Sequence, residues 1–408
     1  MRISSSTLYD VNVATLNSQL SKLVHTQQQI STGQRLLTAA DDPAAAARVL
    51  ELQQSDAATA QYAKNIDTTQ HLLSTSEGAL QSVTSLLQDA HTTAVSAANM
   101  TLSDSDRKAI ASDLQGRLDE LISLANTTDG TGNYLFSGFQ GKTQPFVSTA
   151  TGVQFMGDDG QRLSQVNASR QLAGSDSGAD IFMRIKNGNG TFVTQAAVTN
   201  TGSGIAGQGN VINPALLTGH NYQIDFAVAA GVTTYSVTDN STLPAPTVLS
   251  AGNAYVSGQA ISFDGMQFDV QGAPANGDQF TVTPSANESV FKTISDLIHT
   301  LNTPIVAGNA ASSAQFTSNM NHALNSLDRS LDKVLTVRAS MGSRLNELDA
   351  LKSTGDDLSM QYKQALSLLQ DVDYNKAISD LTQQKTMLDA AQKSFLQVQD
   401  LSIFNFIQ

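Results

Sequence analysis

The chain has 408 residues, a formal net charge of -13, no cysteine and no tryptophan. Its length predicts several domains, and its acidic balance argues against a nucleic-acid partner, because a phosphate backbone would be repelled by most of the surface. The lack of cysteine excludes thiol catalysis, thiolate metal sites and disulfides, and no apolar run approaches the roughly 20 residues that a membrane span requires.

The N-terminal segment predicts a helix and not a cleaved secretory signal, because it has no long apolar run followed by a small-residue cleavage site. From residue 13, apolar side chains recur in steps of three and four, which is the spacing of one helical stripe. Gln27 is the one interruption of this stripe. Its apolar members are Val13, Leu16, Leu20, Leu23 and Ile30.

The stretch STGQRLLTAADDP interrupts the helical pattern. Gly33 can end the first helix in a left-handed backbone conformation. Asp42, which follows Asp41, can cap the next helix, and Pro43 suits its first position, where a missing amide costs nothing. We interpret Gly33, Asp41, Asp42 and Pro43 as a joint between two helical segments. The segment after the joint is expected to fold within the chain, whereas the helix before it is expected to become ordered only against neighbouring copies.

The heptad pattern resumes after the joint and extends to about residue 97. A shorter helix follows LSDSDRK, where Ser103 or Asp104 can cap the exposed amides, and it ends at the turn NTTDGTGN.

Residues 138–288 have a different pattern, in which glycine is frequent and apolar residues alternate with polar ones as in half-buried strands. The segment ISFDGMQFDV predicts a hairpin, because Asp264 and Gly265 can adopt the positive φ angles of a two-residue turn. A G-x-G-x-x-G pattern begins at Gly202, but no helix is predicted after it, so we interpret it as a loop and not as a dinucleotide site.

Helical spacing returns in the last third of the chain. It runs from about residue 320 to residue 370, stops at Asp371-Val-Asp-Tyr374 and resumes in a final helix over 375–400. The apolar stripe of that helix contains Ile378, Leu381, Leu388, Phe395 and Val398, and Ile403 and Phe404 lie near the terminus.

These patterns predict a mainly α fold with an inserted β domain. Both chain ends build a long antiparallel helical coiled-coil stalk, and the β-rich outer domain lies in the middle of the sequence. The expected division is a terminal coiled-coil domain (1–42 and 371–408), a helical bundle domain (43–137 and 289–370) and the inserted domain (138–288).

The two outermost helices are predicted to form an assembly interface. Little else in the sequence can cover their apolar stripes, and two helices of this length are marginal in water without packing. We therefore expect them to be loosely held in the monomer and to order against neighbouring copies. The expected contacts are the stripe residues of both helices together with Ile403 and Phe404.

No motif predicts a catalytic group, a cofactor or a metal. Histidines are never paired at three to five residues, and the nucleophile elbow G-x-S-x-G does not occur. A pair of carboxylates acting on glycans cannot be recognised from spacing, since such pairs meet only in the fold. An adhesive or glycan-acting function of the inserted domain is therefore kept as one hypothesis.

Several motifs resemble the bacterial flagellin superfamily. They are the terminal STGQR with its aspartate pair, the DVDY before the last helix, GNYLFSGFQGKTQPF from Gly132 and KVLTVRASMGSRLNEL from Lys333. The last two, with the initial MRIS, DDP, TLSDSDRK and the final SIF, are more similar to the junction proteins between hook and filament than to flagellin.

The resemblance implies a structural subunit and not an enzyme. It implies an extracellular position at the hook-filament junction, export by the flagellar type III apparatus without a cleaved signal, and no membrane insertion. The implied partners are further copies of the chain, the first junction protein, flagellin and a flagellar export chaperone. The alternative is a flagellin-type filament subunit.

Overall fold

The computed structural model describes residues 5–400, and gives only the backbone for 5, 6, 8 and 398–400. In this part the α-helices are α1 (Ser5–Thr32), α2 (Pro43–Ala97), α3 (Asp104–Ala125), α4 (Val290–Asn302), α5 (Ala310–Gln370) and α6 (Tyr374–Asp400). The strands are β1 (Phe146–Thr149), β2 (Gly152–Phe155), β3 (Leu163–Asn167), β4 (Arg170–Ala173), β5 (Ile185–Lys186), β6 (Phe192–Ala196), β7 (Ile205–Ala206), β8 (Asn210–Val211), β9 (Tyr222–Ala229), β10 (Val232–Asp239), β11 (Thr247–Ala254), β12 (Ala260–Phe263), β13 (Met266–Gln271), β14 (Gln279–Pro284) and β15 (Asn287–Glu288).

The fold class expected from the sequence is confirmed, since helices at both ends flank a central region rich in strands. Ser103 caps α3 in a capping box with Asp106, as the sequence indicates. One helix was missed. It is α4, whose apolar side chains at Val290, Ile294, Leu297 and Leu301 are buried and follow the helical period.

The chain divides into two compact units, and the division falls inside α2 and inside α5. The first unit consists of Met1–Asn65 and Ala350–Gln408, and the second of Ile66–Asp349. The three-part division expected from the sequence stays a prediction.

In the first unit, α1 and α6 pack antiparallel. The rings of Tyr9 and Phe395 lie 5.5 Å apart between centroids at one end of the pair. At the other end Gln34 and Asp371 form an isolated antiparallel bridge.

The second unit contains a helical core and a β domain. Apolar side chains from its four helices are buried, among them Leu73, Leu80, Leu87, Leu114, Leu121, Ile294, Leu297, Met320, Leu327 and Met341. The GNYLFSGF segment joins this core through a chain of aromatic contacts. The ring of Phe136 contacts Phe182 edge-to-face, and Phe182 contacts Phe146 in the same way. The ring of Phe146 also lies 5.2 Å from that of Phe291 on α4.

Ion pairs and hydrogen bonds join α5 to the strand-rich segment that follows residue 160. Arg170 and Glu347 form a bidentate ion pair, with N–O distances of 2.7 and 3.0 Å. The Arg344 guanidinium donates to the Ala173 carbonyl at 2.9 Å and also contacts Asp176. These contacts give the KVLTVRASMGSRLNEL motif a structural role within this unit.

The β domain is built around two antiparallel sheets. One has the strand order β11-β10-β9-β14-β6, and the other has the order β12-β13-β7, with β8 also paired to β13. Side chains from both sheets share one core, which includes Phe192, Tyr222, Ile224, Phe226, Val237, Phe268 and Phe280. The arrangement is a sandwich, in which side chains alternate between core and surface along each strand.

The hairpin predicted at ISFDGMQFDV is confirmed. It joins β12 to β13, and Asp264 and Gly265 have φ angles of 41° and 77°. The G-x-G-x-x-G pattern lies in a different setting from a dinucleotide site, since short strands β7 and β8 occupy this region and only a three-residue 3-10 turn, Pro214–Leu216, comes between β8 and β9.

Candidate assembly interface

The contact between α1 and α6 is thin. Among the stripe residues expected from the sequence, Leu16, Leu23, Ile30, Leu381, Leu388 and Phe395 are half-buried, as is Val13. Fully buried residues of the two helices are few in the described part: Thr26 of α1 and Ala377 of α6. A helix pair with so little core gains little free energy from packing alone.

Other apolar side chains of the same helices face away from the pair. Leu20 is 49% exposed and Ile378 is 53% exposed, although both belong to the stripes expected from the sequence. Val24 and Leu396 are exposed as well. Leu20 and Val24 lie on one face of α1, since they are four residues apart. Exposed apolar surface of this kind marks an interaction site.

Three of the expected contacts cannot be placed in the same detail. Val398 lies in α6, but its side chain is outside the described part of the chain. Ile403 and Phe404 lie outside the described residues altogether.

The seam between the helices contains amide side chains that sequence periodicity did not select. Gln19 of α1 and Gln384 of α6 each have a buried side-chain oxygen without a hydrogen-bond partner. The antiparallel pairing places the two glutamines at about the same level, because Tyr9 lies beside Phe395 and Gln34 pairs with Asp371. A buried polar atom without a partner destabilises the structure that buries it.

Replacing both glutamines by leucine should therefore stabilise the isolated chain. Removing two unpaired amide oxygens and burying apolar groups instead is expected to add about 1–3 kcal/mol to the stability of the helix pair. Amide hydrogen exchange of α1 and α6 in the monomer measures this gain. The exposed Gln28→Leu change serves as the control, and equal protection in both variants would contradict the prediction.

The joint brings the two helix breaks together by backbone pairing. Gly33 has a φ of 72°, and its carbonyl accepts a hydrogen bond from the Val372 amide at 3.0 Å. The Arg35 amide donates to the Gln370 carbonyl at 2.6 Å. The Arg35 guanidinium donates to the Leu369 carbonyl at 2.9 Å, which satisfies the last turn of α5. The loop after α1 and the loop before α6 are thus held together by hydrogen bonds.

Capping residues fix the helices that leave the joint. Asp42 accepts a hydrogen bond from the Ala45 amide at 3.0 Å, and Pro43 is the first residue of α2. Asp373 does the same for α6, because its carboxylate accepts from the amides of Asn375 and Lys376. The sequence indicated the DVDY break, but not that it pairs with the break at Gly33.

Asp41 holds the loop between α1 and α2 closed. Its Oδ2 accepts from the amides of Thr38 at 2.8 Å and Leu37 at 2.9 Å, and its Oδ1 lies 3.0 Å from His25 Nε2. The hydrogen bond from the Thr38 amide is the largest cause that lowers the pKa of Asp41, and those from Leu37 and His25 add to it.

The contribution of Asp41 should depend on pH in a defined direction. Because its folded pKa is lowered, the stabilisation is complete above the unfolded value of about 3.9 and is lost as the pH falls through the folded pKa. In Asp41→Ala, the amides of residues 37 and 38 should exchange about tenfold faster at neutral pH, since they lose their acceptor. Hydrogen-exchange mass spectrometry measures this rate, and an unchanged rate would contradict the role of Asp41. Asp10→Ala, an exposed carboxylate of α1, is the control.

The described residues contain no group of three or more His, Asp or Glu side chains placed to hold a metal ion. No helix in the described part of the chain is both long and apolar enough to cross a membrane.

Comparison with known proteins identifies two segments of the chain. The family model of the bacterial flagellin N-terminal helical region matches residues 3–141. The model of the D2-like domain of flagellar hook-associated protein 1 matches residues 196–284, which lie in the β domain. Terminal helices of flagellin type and a β domain of this kind define a structural protein of the bacterial flagellum.

Relatives of known identity narrow this class. The chain is 30% identical over 405 residues to flagellar hook-associated protein 3 of Escherichia coli, and the match covers 99% of both chains. The crystal structure of hook-associated protein 3 from Legionella pneumophila superposes with a TM-score of 0.74 at 31% identity, covering 79% of this chain and 98% of that one. The chain belongs to the flagellar hook-associated protein 3 family.

Flagellin is the more distant comparison. The flagellin of Salmonella budapest is 26% identical over 318 residues, which cover 72% of this chain and 61% of the flagellin. The full-length match to the hook-associated proteins therefore favours the junction family over the filament subunit.

Proposed function

We propose that the chain is the junction subunit that joins the hook, through the first hook-filament junction protein, to the flagellin filament. It acts by packing geometry and not by bond making, and it needs no cofactor. Membership of the hook-associated protein 3 family supports the position in the flagellum. The single structural observation that carries the mechanism is the exposed apolar surface of the α1 and α6 pair.

In this proposal the terminal helices of many copies pack together as the inner tube. Leu16, Leu23 and Phe395 are only half-buried within one chain, and Leu20 and Ile378 are exposed. Packing against neighbouring copies would bury the part of each side chain that one chain leaves exposed. Full burial of such a side chain contributes about 1.5–3 kcal/mol, so each of these would contribute about half of that. Because the joint separates α1 and α6 from the helical bundle, the two helices can pack against neighbouring copies while the bundle folds within the chain.

The chain would form a ring or helical layer of identical subunits, with the bundle as its wall and the inserted domain outside. It would be exported through the flagellar type III apparatus without a cleaved signal and with the help of an export chaperone. The absence of cysteine is compatible with this route, because no disulfide has to form after export.

Ordered reconstitution on isolated hooks tests this function. Purified chain is added to hooks that carry the first junction protein, and monomeric flagellin follows. We expect filament growth when all components are added in this order and no growth when the chain is left out. Copolymerisation of the chain throughout a flagellin filament would instead support the filament-subunit alternative.

A further inference from the structure

The β domain is unusual in its charges. Residues 187–287 contain five aspartates and no lysine, arginine or glutamate. None of the five carboxylates belongs to an exposed residue. Two are buried: Asp239 beside His220, with 2.6 Å between oxygen and nitrogen, and Asp278, which accepts from the amides of Thr201 and Ala275.

The three other aspartates are half-buried and bonded within the domain. Asp264 accepts from the Tyr222 hydroxyl at 2.7 Å. Asp225 accepts from the side-chain amide of Gln223 at 2.8 Å, and Asp269 accepts from the side-chain amide of Gln271 at 3.0 Å. A protein surface that faces only water usually has about a quarter to a third of its residues charged. The surface of this domain has far fewer charges than that.

Exposed apolar side chains accompany this lack of charge. In residues 187–287 they are Val198, Ile212, Leu216, Val228, Val232, Leu243, Val248, Leu249 and Val256. Two of them, Val232 at 58% and Val248 at 57% exposure, lie on one face of the five-stranded sheet. Low charge combined with exposed apolar groups is the composition of an interface and not of a free surface.

This face can be defined residue by residue. On β10 the side chains of Tyr235, Val237 and Asp239 point to the core, so those of Val232, Thr234, Ser236 and Thr238 point away from it. The register adds Gln223, Asp225, Ala227 and Ala229 from β9 and Val248 from β11. We call these residues the outer face.

We infer that the outer face is a contact between copies of this chain. The inference rests on the proposed function, which places many copies in one layer. Identical copies with a net charge of -13 repel one another wherever exposed carboxylates meet. The outer face contains one charged residue, the half-buried Asp225, so two copies can approach there with little repulsion.

Contact through the face is favoured over pairing along the sheet edge. β11 is the edge strand, and its register against β10 shifts between Tyr235 and Val237 and again between Val237 and Thr238. Such bulges twist an edge away from regular pairing with another strand. The strands β9 and β10, which pair without a shift over their whole length, provide the contact surface.

Introducing like charges on this face tests the inference. In full-length Val232→Glu/Val248→Glu, both changes are at exposed positions, so folding should be unaffected. We expect the number of copies retained on hooks to fall about tenfold at low salt. It should recover in high salt, where screening shortens the reach of the charges to about 3 Å at 1 M. Ile212→Glu/Leu216→Glu, which adds two charges at exposed positions away from the outer face, is the matched control.

A second measurement identifies the partner. Because the chain has no cysteine, Val232→Cys and Val248→Cys each introduce a single thiol, and a bismaleimide linker should join copies of this chain in assembled flagella. Cross-links only to other proteins, or normal assembly of the double glutamate variant at low salt, would overturn the inference. If that variant assembles normally while Leu20→Glu/Ile378→Glu does not, the outer face is not a contact but the proposed function stands.

Discussion

Glutamate at positions 20 and 378 should abolish assembly of the chain while leaving the monomer as stable as the wild type. Both side chains are about half exposed in the single chain, at 49% and 53%, so the charges remain in water and cost the monomer little. In the assembled state, the same charges would be buried among neighbouring helices without partners, which costs several kcal/mol per charge.

The two readouts separate assembly from folding. Thermal unfolding of the monomer should be unchanged, whereas addition of the variant to hooks should fall below detection. The control is Ser18→Glu/Ser379→Glu, which adds one charge to each of the two helices at exposed polar positions away from the apolar residues. Normal addition of the Leu20→Glu/Ile378→Glu variant would show that this surface is not the assembly interface.

Gly33→Ala should loosen the joint. A Cβ at this position would lie 3.0 Å from the Tyr374 hydroxyl oxygen, and the φ of 72° is unfavourable for any residue with a Cβ. The left-handed conformation costs about 1–2 kcal/mol for alanine. The change would weaken the hydrogen bond between the Gly33 carbonyl and the Val372 amide, so the loop after α1 and the loop before α6 would be held together less tightly.

Hydrogen exchange of residues 33–42 and 370–374 measures the opening of the joint in this variant. Gly78→Ala is the matched control, since Gly78 lies in the helix α2 and a methyl group added there would enter open space. That change should stabilise the helix by about 1 kcal/mol. Equal exchange at the joint in Gly33→Ala and wild type would contradict a structural role for this glycine.

Local sequence patterns predicted most of the helical part of the fold. The three-four spacing that selects Leu16 and Leu23 depends only on neighbouring turns of one helix, and the caps at Ser103 and Asp42 lie beside the residues they bind. The Asp264-Gly265 turn is equally local. The short helix α4 was missed because its pattern covers a single segment of thirteen residues directly after a region of strands.

Long-range contacts could not be predicted in this way. Periodicity assigned Leu20 to the same stripe as Leu16 and Leu23, but the structure buries the Gln19 side-chain oxygen and leaves Leu20 exposed. A search for apolar spacing cannot select a glutamine. The pairing of Gln34 with Asp371 joins residues that are far apart in the sequence, and no local pattern indicates it.

Imaging of cells that lack this chain tests whether it joins the hook to the filament. Electron microscopy of a deletion strain should show hooks without filaments, with flagellin released into the medium, and the wild-type chain should restore the filaments. Filaments of normal length on hooks that lack the chain would contradict the proposed function.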